Sequence, residues 1–467
     1  MNIPPRGGRE NGAGGSPAAG PLSIAVVLCF TFAGCRLELA VDPGNLAPSI
    51  NEVRTLLEQD RVRLALDRAV VLDDLYRGPQ ADLVLGWALW RNGHLRDAEA
   101  RFRRAAGAGL DEGKVGMAAV RASAGDWQAA GELATSGLAT AEPAGPAHAL
   151  LASVAWRRGD RETAVRELRA WSDVATGTAR ARAAEAMATA LERLEGPMHE
   201  MHEWSGESAD LLLVELDDGT LAVEAKVGGV TALLAVDLTF RQSLISERLA
   251  ASAGLAVAGA PSPASRGPSA RWPAILAPRQ SACPRLELGG LALSNVVLAV
   301  GEAPAGVDGV LAIDVLGGVH WSLDTGARSI ALARRDTVER NSAHPVAWLQ
   351  ARLVHEGLAV QMLLFPRVED RVVAAGLDLA GGSRLDSDLL PVSAGSGAAP
   401  TRVQLGGWRG EVLWRPASLN GWAIDGGVAP TAVLGSNLLG GWRLSWYPES
   451  AQIRIDEPTR SAARPLQ

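Results

Sequence analysis

Cysteine is scarce in this chain, which has three in 467 residues, and so few cysteines exclude a disulfide framework. An excess of positive charge is also missing, because the formal net charge is −7. That balance excludes the basic surface that nucleic-acid binding requires. Aromatic residues make up only 4%, but hydrophobic residues make up 47%, which is enough to bury a core. The length is sufficient for two or three domains.

The N-terminus has the features of an export signal. An apolar run at 22–33 is shorter than the roughly 20 residues of a transmembrane helix and fits the hydrophobic region of a signal peptide. Phe-Ala-Gly-Cys at 32–35 resembles the bacterial lipobox, in which the cysteine is lipidated. We therefore predict a lipoprotein-type signal peptide at 1–34 and a lipid on Cys35 that anchors the protein in a bacterial cell envelope. A plain secretory signal is the alternative.

A repeat of small residues indicates paired helices at 50–195. Glycines recur at intervals of 32 and 34 residues, and each is followed by an alanine five positions later: Gly93 and Ala98, Gly125 and Ala130, Gly159 and Ala164. Glycine permits the turn between two helices, and alanine lets them cross closely. This spacing resembles the tetratricopeptide repeat, which implies a concave surface for a protein or peptide partner. An irregular alanine-rich bundle is the alternative, and a terminal capping helix is predicted at 180–194.

The segment 196–210 is predicted to be a solvated linker. It contains His199, Glu200, His202 and Glu203, but their spacing is not the His-Glu-x-x-His pattern of a zinc site. We therefore expect no metal there, and no cofactor elsewhere in the chain.

Short apolar segments broken by Gly, Pro and Asp begin after residue 210 and predict an all-β region, interrupted by one helix at 245–253. Two of these segments, 310–318 and 433–441, align without a gap at an offset of 123 residues (433 − 310). This internal repeat predicts two lobes, at 211–335 and 345–457.

The order of motifs in the β region resembles the retropepsin-like and pepsin-like aspartic peptidases. Leu-Leu-Ala-Val-Asp-Leu-Thr at 233–239 stands where that family has its Asp-Thr-Gly loop, and Leu-Glu-Leu-Gly-Gly at 286–290 matches a later strand. The combined prediction is a helical-repeat, tetratricopeptide-like solenoid followed by a two-lobed β-barrel domain of aspartic-peptidase type. The resemblance implies one catalytic carboxylate in each lobe, with one proton shared between them.

Asp237 is the candidate catalytic residue of the first lobe, although Leu238 and Thr239 replace the family's Thr and Gly. In the second lobe the aligned position falls near Leu364, which cannot ionise. Asp378 is the nearest acid and would need a long insertion to reach that position.

A literal Asp-Thr-Gly-Ala at 324–327 makes Asp324 a second candidate. The offset of 123 aligns this motif with 447–450, a segment typical of a turn between strands, and Asp, Thr and Gly are also ordinary turn residues. A hairpin turn is therefore favoured over a catalytic loop.

The sequence as a whole favours an envelope lipoprotein that binds proteins or peptides and carries a catalytically degenerate aspartic-peptidase-like domain. The alternative is an active aspartic endopeptidase that uses Asp324 or Asp237. A generic barrel unrelated to peptidases is a third possibility.

Overall fold

The computed structural model of the chain describes residues 43–59, 61–138, 145–176, 178–195, 202–260, 279–334, 345, 347–386, 399–417, 419 and 428–456. These residues belong to one compact unit. The predicted signal peptide at 1–34 and the predicted lipidation site Cys35 lie outside them. Among the described helices, none combines the length and the apolar character needed to cross a membrane.

The described chain begins with helices only. They are α1 (Pro43–Glu58), α2 (Val62–Leu75), α3 (Pro79–Arg91), α4 (Leu95–Gly107), α5 (Asp111–Ser123), α6 (Trp127–Leu138), α7 (Gly145–Arg157), α8 (Arg161–Val174) and α9 (Ala179–Glu192). The predicted helical region is thus confirmed, and α9 covers most of the predicted capping helix.

The repeated glycines and alanines lie where the helices meet. Gly93, Gly125 and Gly159 form the turns within the pairs α3–α4, α5–α6 and α7–α8, with φ angles of +79°, +81° and +75°. These left-handed angles favour glycine. Ala98, Ala130 and Ala164 are fully buried at the helix crossings. The spacing in the sequence therefore reflects a repeated turn and a repeated close contact.

Strands dominate the rest of the described chain. They are β1 (His202–Trp204), β2 (Ser208–Glu215), β3 (Leu221–Val227), β4 (Val230–Val236), β5 (Leu244–Ser246), β6 (Val257–Ala258), β7 (Gln280–Leu288), β8 (Leu291–Gly301), β9 (Gly309–Leu311), β10 (His320–Asp324), β11 (Ser329–Ala333), β12 (Ala347–Glu356), β13 (Ala359–Leu364), β14 (Arg367–Val368), β15 (Arg371–Val372), β16 (Ala375–Asp378), β17 (Arg384–Asp386), β18 (Ala399–Leu405), β19 (Trp408–Ala417), β20 (Ala432–Gly435), β21 (Arg443–Tyr447) and β22 (Gln452–Asp456). Short helices α10 (Glu247–Ser252), α11 (Ile313–Leu316) and α12 (Ser436–Leu439) interrupt them.

The first lobe contains a closed six-stranded barrel. Its strands follow one another around the barrel in the order β3, β4, β9, β5, β8 and β7, and β7 returns to β3. The apolar side chains of these strands form one continuous core with those of the second lobe.

The second lobe repeats much of this pairing. Strand β20 lies between β16 and β17, as β9 lies between β4 and β5. The short helices α11 and α12 also begin 123 residues apart (436 − 313). The internal repeat predicted from 310–318 and 433–441 is therefore a repeat of structure.

A six-stranded antiparallel sheet joins the two lobes, in the order β2–β11–β10–β21–β22–β12. At its centre Ser322 lies opposite Ser445, and their Oγ atoms are 2.9 Å apart. These residues are also 123 apart (445 − 322). Equivalent positions of the two lobes therefore pair with each other at the middle of the sheet.

Two predicted boundaries need correction. Residues 202–204 and 208–210 belong to β1 and β2, so the linker predicted for all of 196–210 is wrong there. Pairing with β8 satisfies the backbone of β1, a contact that its polar sequence does not indicate. The helix predicted at 245–253 begins only at Glu247, because Ile245 pairs within the barrel as part of β5.

The helical region packs against the second lobe. The Ser153 Oγ atom donates a 2.8 Å hydrogen bond to the Gly357 carbonyl, at the turn between β12 and β13. The Ala429 amide donates a 2.8 Å hydrogen bond to the Arg91 carbonyl, at the end of α3. Helices α5 and α7 contact β12. The chain's own strands therefore cover part of the helical surface.

Candidate functional site

Asp237 follows the last residue of β4. Strand β4 runs parallel to β9, with Val236 opposite Leu311, and the Asp237 amide donates a 3.1 Å hydrogen bond to the Leu311 carbonyl. The side chain is 9% exposed. The barrel thus holds this carboxyl group at the end of a buried strand.

Asp378 occupies the corresponding place in the second lobe. It ends β16, which runs parallel to β20, with Leu377 opposite Leu434 and Asp378 opposite Gly435. Leu434 is 123 residues after Leu311 (434 − 311), so the two strand ends are equivalent under the internal repeat.

The assignment of Leu364 to this position is therefore wrong. Leu364 ends β13, where it pairs with Ala351 and Ala375. A hairpin of β14 and β15 is inserted between β13 and β16, and it displaces the acid by 14 residues (378 − 364). The long insertion that Asp378 required is present.

The two loops after these acids have similar hydrogen bonds. The Asp237 Oδ1 atom accepts from the Thr239 amide at 2.8 Å and from the Thr239 Oγ1 atom at 2.6 Å. The Asp378 Oδ1 atom accepts from the Ala380 amide at 3.2 Å and from the Gly381 amide at 2.7 Å. In both lobes the carboxylate is thus held by the residue two positions later.

Equivalent serines fix the two loops to their short helices. The Ser243 amide donates to Asp314 Oδ2 at 2.9 Å, and the Ser383 amide donates to Asn437 Oδ1 at 2.7 Å. In both lobes the serine Oγ atom also accepts a 2.9 Å hydrogen bond from the backbone amide just before the short helix: from Ala312 in the first lobe and from Gly435 in the second.

The electrostatic environments of the two acids differ. Burial, and to a smaller extent the negative charge of Asp378, raise the pKa of Asp237 to about 6, against the opposing hydrogen bonds from Thr239. Asp378 forms an ion pair with Arg384 through its Oδ2 atom. The site thus brings together one carboxyl group that is readily protonated and one that is paired with a cation.

Asp324 lies in a hairpin turn, the position that the alignment with 447–450 favours. It ends β10 and pairs with Ser329 at the start of β11. Its Oδ1 atom accepts from the Ala327 amide at 2.7 Å, and its Oδ2 atom is 3.1 Å from the Arg443 guanidinium. The Asp-Thr-Gly-Ala motif therefore has hydrogen bonds typical of a turn.

A repeated dipeptide in the sequence is a further signal for Asp378. Asp-Leu occurs at 237–238 and again at 378–379, and each pair is followed by a serine that bonds a short helix. Of the predicted linker, His199 and Glu200 lie outside the described residues. Within the described ranges, no cluster of three His, Cys, Asp or Glu side chains is arranged to hold a metal ion.

Comparison with known proteins gives no family for this chain. No protein-family model matches it, and no curated protein matches it.

Proposed function

We propose that the β region is an aspartic-peptidase-like domain in which Asp237 and Asp378 cleave peptide bonds at acidic pH. The observation that carries this proposal is that both carboxylates stand at repeat-equivalent strand ends and that the charge of one raises the pKa of the other. The expectation of a degenerate domain relied on a non-ionising residue in the second lobe and on Leu238 and Thr239 in place of the family's Thr and Gly. Asp378 removes the first of these two reasons.

The different environments suggest different roles. Ionised Asp378 would take a proton from water while the water oxygen adds to the peptide carbonyl carbon, and protonated Asp237 would give its proton to the carbonyl oxygen. As the resulting diol collapses, Asp378 returns a proton to the leaving nitrogen and Asp237 regains one from a diol hydroxyl group. Because the pKa of Asp237 is about 6, its protonated form dominates below that pH.

The test is digestion of an unfolded protein by the purified mature chain between pH 3 and pH 7. Asp237→Asn and Asp378→Asn should each abolish cleavage, since one carboxylate cannot supply both proton transfers. Asp324→Asn is the matched control, because that acid lies in a hairpin turn, and it should retain activity. Absence of cleavage in the wild-type chain would reject the proposal, as would cleavage that survives both Asp237→Asn and Asp378→Asn.

A binding scaffold is the second candidate function. A cleft of about 500 Å³ lies between the helices and β12, and Trp87, Trp90 and Glu112 are among its lining residues. Its mixed apolar and charged lining suits a peptide. Ala119→Arg would place a long side chain in the cleft and should weaken binding of an extended peptide, whereas Gln128→Arg on exposed α6 should not. Equal affinities for the two variants would reject this candidate.

The predicted location rests on the sequence alone. We propose that lipid on Cys35 holds the mature protein at the cell envelope. Partition into a detergent phase should be lost in Cys35→Ala, and partition that survives this change would reject the anchor.

A further inference from the structure

The loop that follows Asp237 is joined to the second lobe at Arg241. The Arg241 carbonyl accepts a 2.6 Å hydrogen bond from the Val360 amide, near the start of β13. The Arg241 guanidinium lies 2.8 Å from the carboxylate of Glu356, the last residue of β12. We propose, on the basis of the acid pair proposed above, that Arg241 is a positioning residue that holds the Asp237 loop in register with the strands carrying Asp378.

The ion pair between Arg241 and Glu356 is buried, since the two side chains are only 7% and 14% exposed. Burial removes the hydration of both charges, a cost that an ion pair repays only with good geometry, so such a pair adds little net stability. It does resist separation, because breaking it leaves an unpaired charge in a buried place. The pair is therefore suited to holding the loop in one position.

Two strands connect Arg241 to the second acid. Val360 lies in β13, whose last residue, Leu364, pairs with Ala375 at the start of β16. Strand β16 ends at Asp378. The hydrogen bond at Val360 therefore fixes the first acid loop relative to the same strands that place the second carboxylate.

Other hydrogen bonds hold each acid loop within its own lobe. Ser243 fixes the first loop to α11, and in the second lobe the Gly381 carbonyl accepts a 2.7 Å hydrogen bond from the Ser436 amide of α12. These bonds orient each carboxylate, but they do not relate one lobe to the other. The bonds of Arg241 cross between the lobes, so they help to set the separation of the two acids. A proton can be shared between two carboxyl groups only when they lie close together.

The turn beside Glu356 is itself held by the helical region. The Gly357 amide donates to the Ala149 carbonyl at 3.2 Å, and the Gly357 carbonyl accepts from the Ser153 Oγ atom at 2.8 Å. Both partners belong to α7. Arg241 thus connects the first acid loop to a turn that α7 keeps in place, and the helices support the geometry of the peptidase site.

The experiment measures kcat and KM for peptide cleavage by the mature chain. Replacing Arg241 alone would leave the buried Glu356 carboxylate without this partner, so the main variant, Arg241→Met with Glu356→Met, removes both charges of the pair. We expect kcat to fall about tenfold or more, because a small displacement of a reacting group is costly in rate, while KM changes by less than about twofold. Arg241→Lys keeps a cation beside Glu356 and should retain most of the wild-type kcat.

Arg248→Met is the matched control, because it removes an exposed arginine from an ion pair of the same lobe and should leave kcat and KM unchanged. Hydrogen exchange gives a readout that does not need activity: the amides of residues 238–243 should exchange faster in the double variant than in wild type or Arg248→Met.

Absence of cleavage in the wild-type chain would reject the proposed function. Wild-type kcat in the double variant, a change in KM alone, or unchanged exchange of the loop amides would instead reject only the role of Arg241. A loss of kcat in Arg241→Lys as large as in the double variant would also overturn it, because the ion pair would then not be the interaction that matters.

Discussion

At the scale of single residues, Arg384 distinguishes the two acids. In the first lobe Leu244 pairs with Val310, and in the second Arg384 pairs with Val433 at the same place in the repeat. The sequence shows this difference only after the insertion before Asp378 is recognised. Arg384→Leu therefore gives the second lobe the residue that the first lobe has at the equivalent position, Leu244.

Arg384→Leu should lower kcat/KM for peptide cleavage about tenfold or more. It removes the ion-pair partner that fixes the Asp378 carboxylate, and a hydrogen bond to a charged group contributes roughly 1.5–3 kcal/mol. The measurement is kcat/KM for peptide cleavage across pH 3 to 7. Arg248→Leu removes an exposed arginine from the first lobe and should leave the profile unchanged. A profile identical in Arg384→Leu and wild type would show that Arg384 does not influence the acid pair.

The raised pKa of Asp237 also predicts how the stability of the chain depends on pH, which can be tested without measuring cleavage. Its pKa is raised from 3.8 to about 6 in the folded chain, so the folded state holds its proton more tightly than the unfolded state. The acid therefore costs stability progressively as pH rises through this interval, up to roughly 3 kcal/mol above pH 6. Asp237→Asn should be more stable than wild type at pH 7 and about equal to it at pH 4, as measured by urea unfolding.

Asp324→Asn provides the contrast, because that acid is paired with Arg443. Its replacement should destabilise the chain at pH 7, where the ion pair is present. If Asp237→Asn lowered stability at both pH values, the raised pKa would be wrong.

At the scale of helices and strands, the helix pairs could be predicted from the sequence because a short glycine repeat indicates them. Gly93, Gly125 and Gly159 each meet a local backbone requirement, so their spacing identified three helix pairs correctly. The β14–β15 hairpin was missed because each of its strands has two residues and carries no hydrophobic alternation. Pairing within such a hairpin depends on contact with β18, which no local pattern indicates.

The packing of Phe102 allows a direct test of the close crossing between helices α4 and α5. It is fully buried on α4, and a Cβ atom added at Gly116 on α5 would lie 2.4 Å from its ring. Gly116→Ala should therefore overpack the crossing and cost about 1–3 kcal/mol in thermal unfolding. Gly107→Ala is the control, because nothing lies within 4 Å of its added Cβ atom, and it should be neutral or stabilising. Equal effects of the two changes would contradict the close crossing of α4 and α5.

At the scale of the whole molecule, the helical region does not stand apart from the β region. A tetratricopeptide-like repeat implies a surface open to a partner, but here α5 and α7 contact β12, and Val354 and Leu363 join the core of α3 and α4. The sequence could not predict this packing, because each region shows its own hydrophobic pattern and neither pattern records which surfaces meet. The partner surface proposed above is consequently the cleft that remains beside β12.

Alanine substitutions at two turn glycines test how firmly the helical region is packed against the second lobe. Gly93 and Gly125 have nearly the same φ angle, +79° and +81°, so alanine at either position should cost about 1–2 kcal/mol in backbone strain. Only at Gly93 does the added Cβ atom meet the second lobe, 2.4 Å from the Cβ atom of Ala374; at Gly125 nothing lies within 4 Å. Gly93→Ala should therefore lower the free energy of unfolding by about 1–3 kcal/mol more than Gly125→Ala.

Urea unfolding followed by circular dichroism measures this difference. A single transition is expected for the helical region and the second lobe, because they share buried side chains. If Gly93→Ala and Gly125→Ala were equally stable, the turn at Gly93 would not be packed against the second lobe.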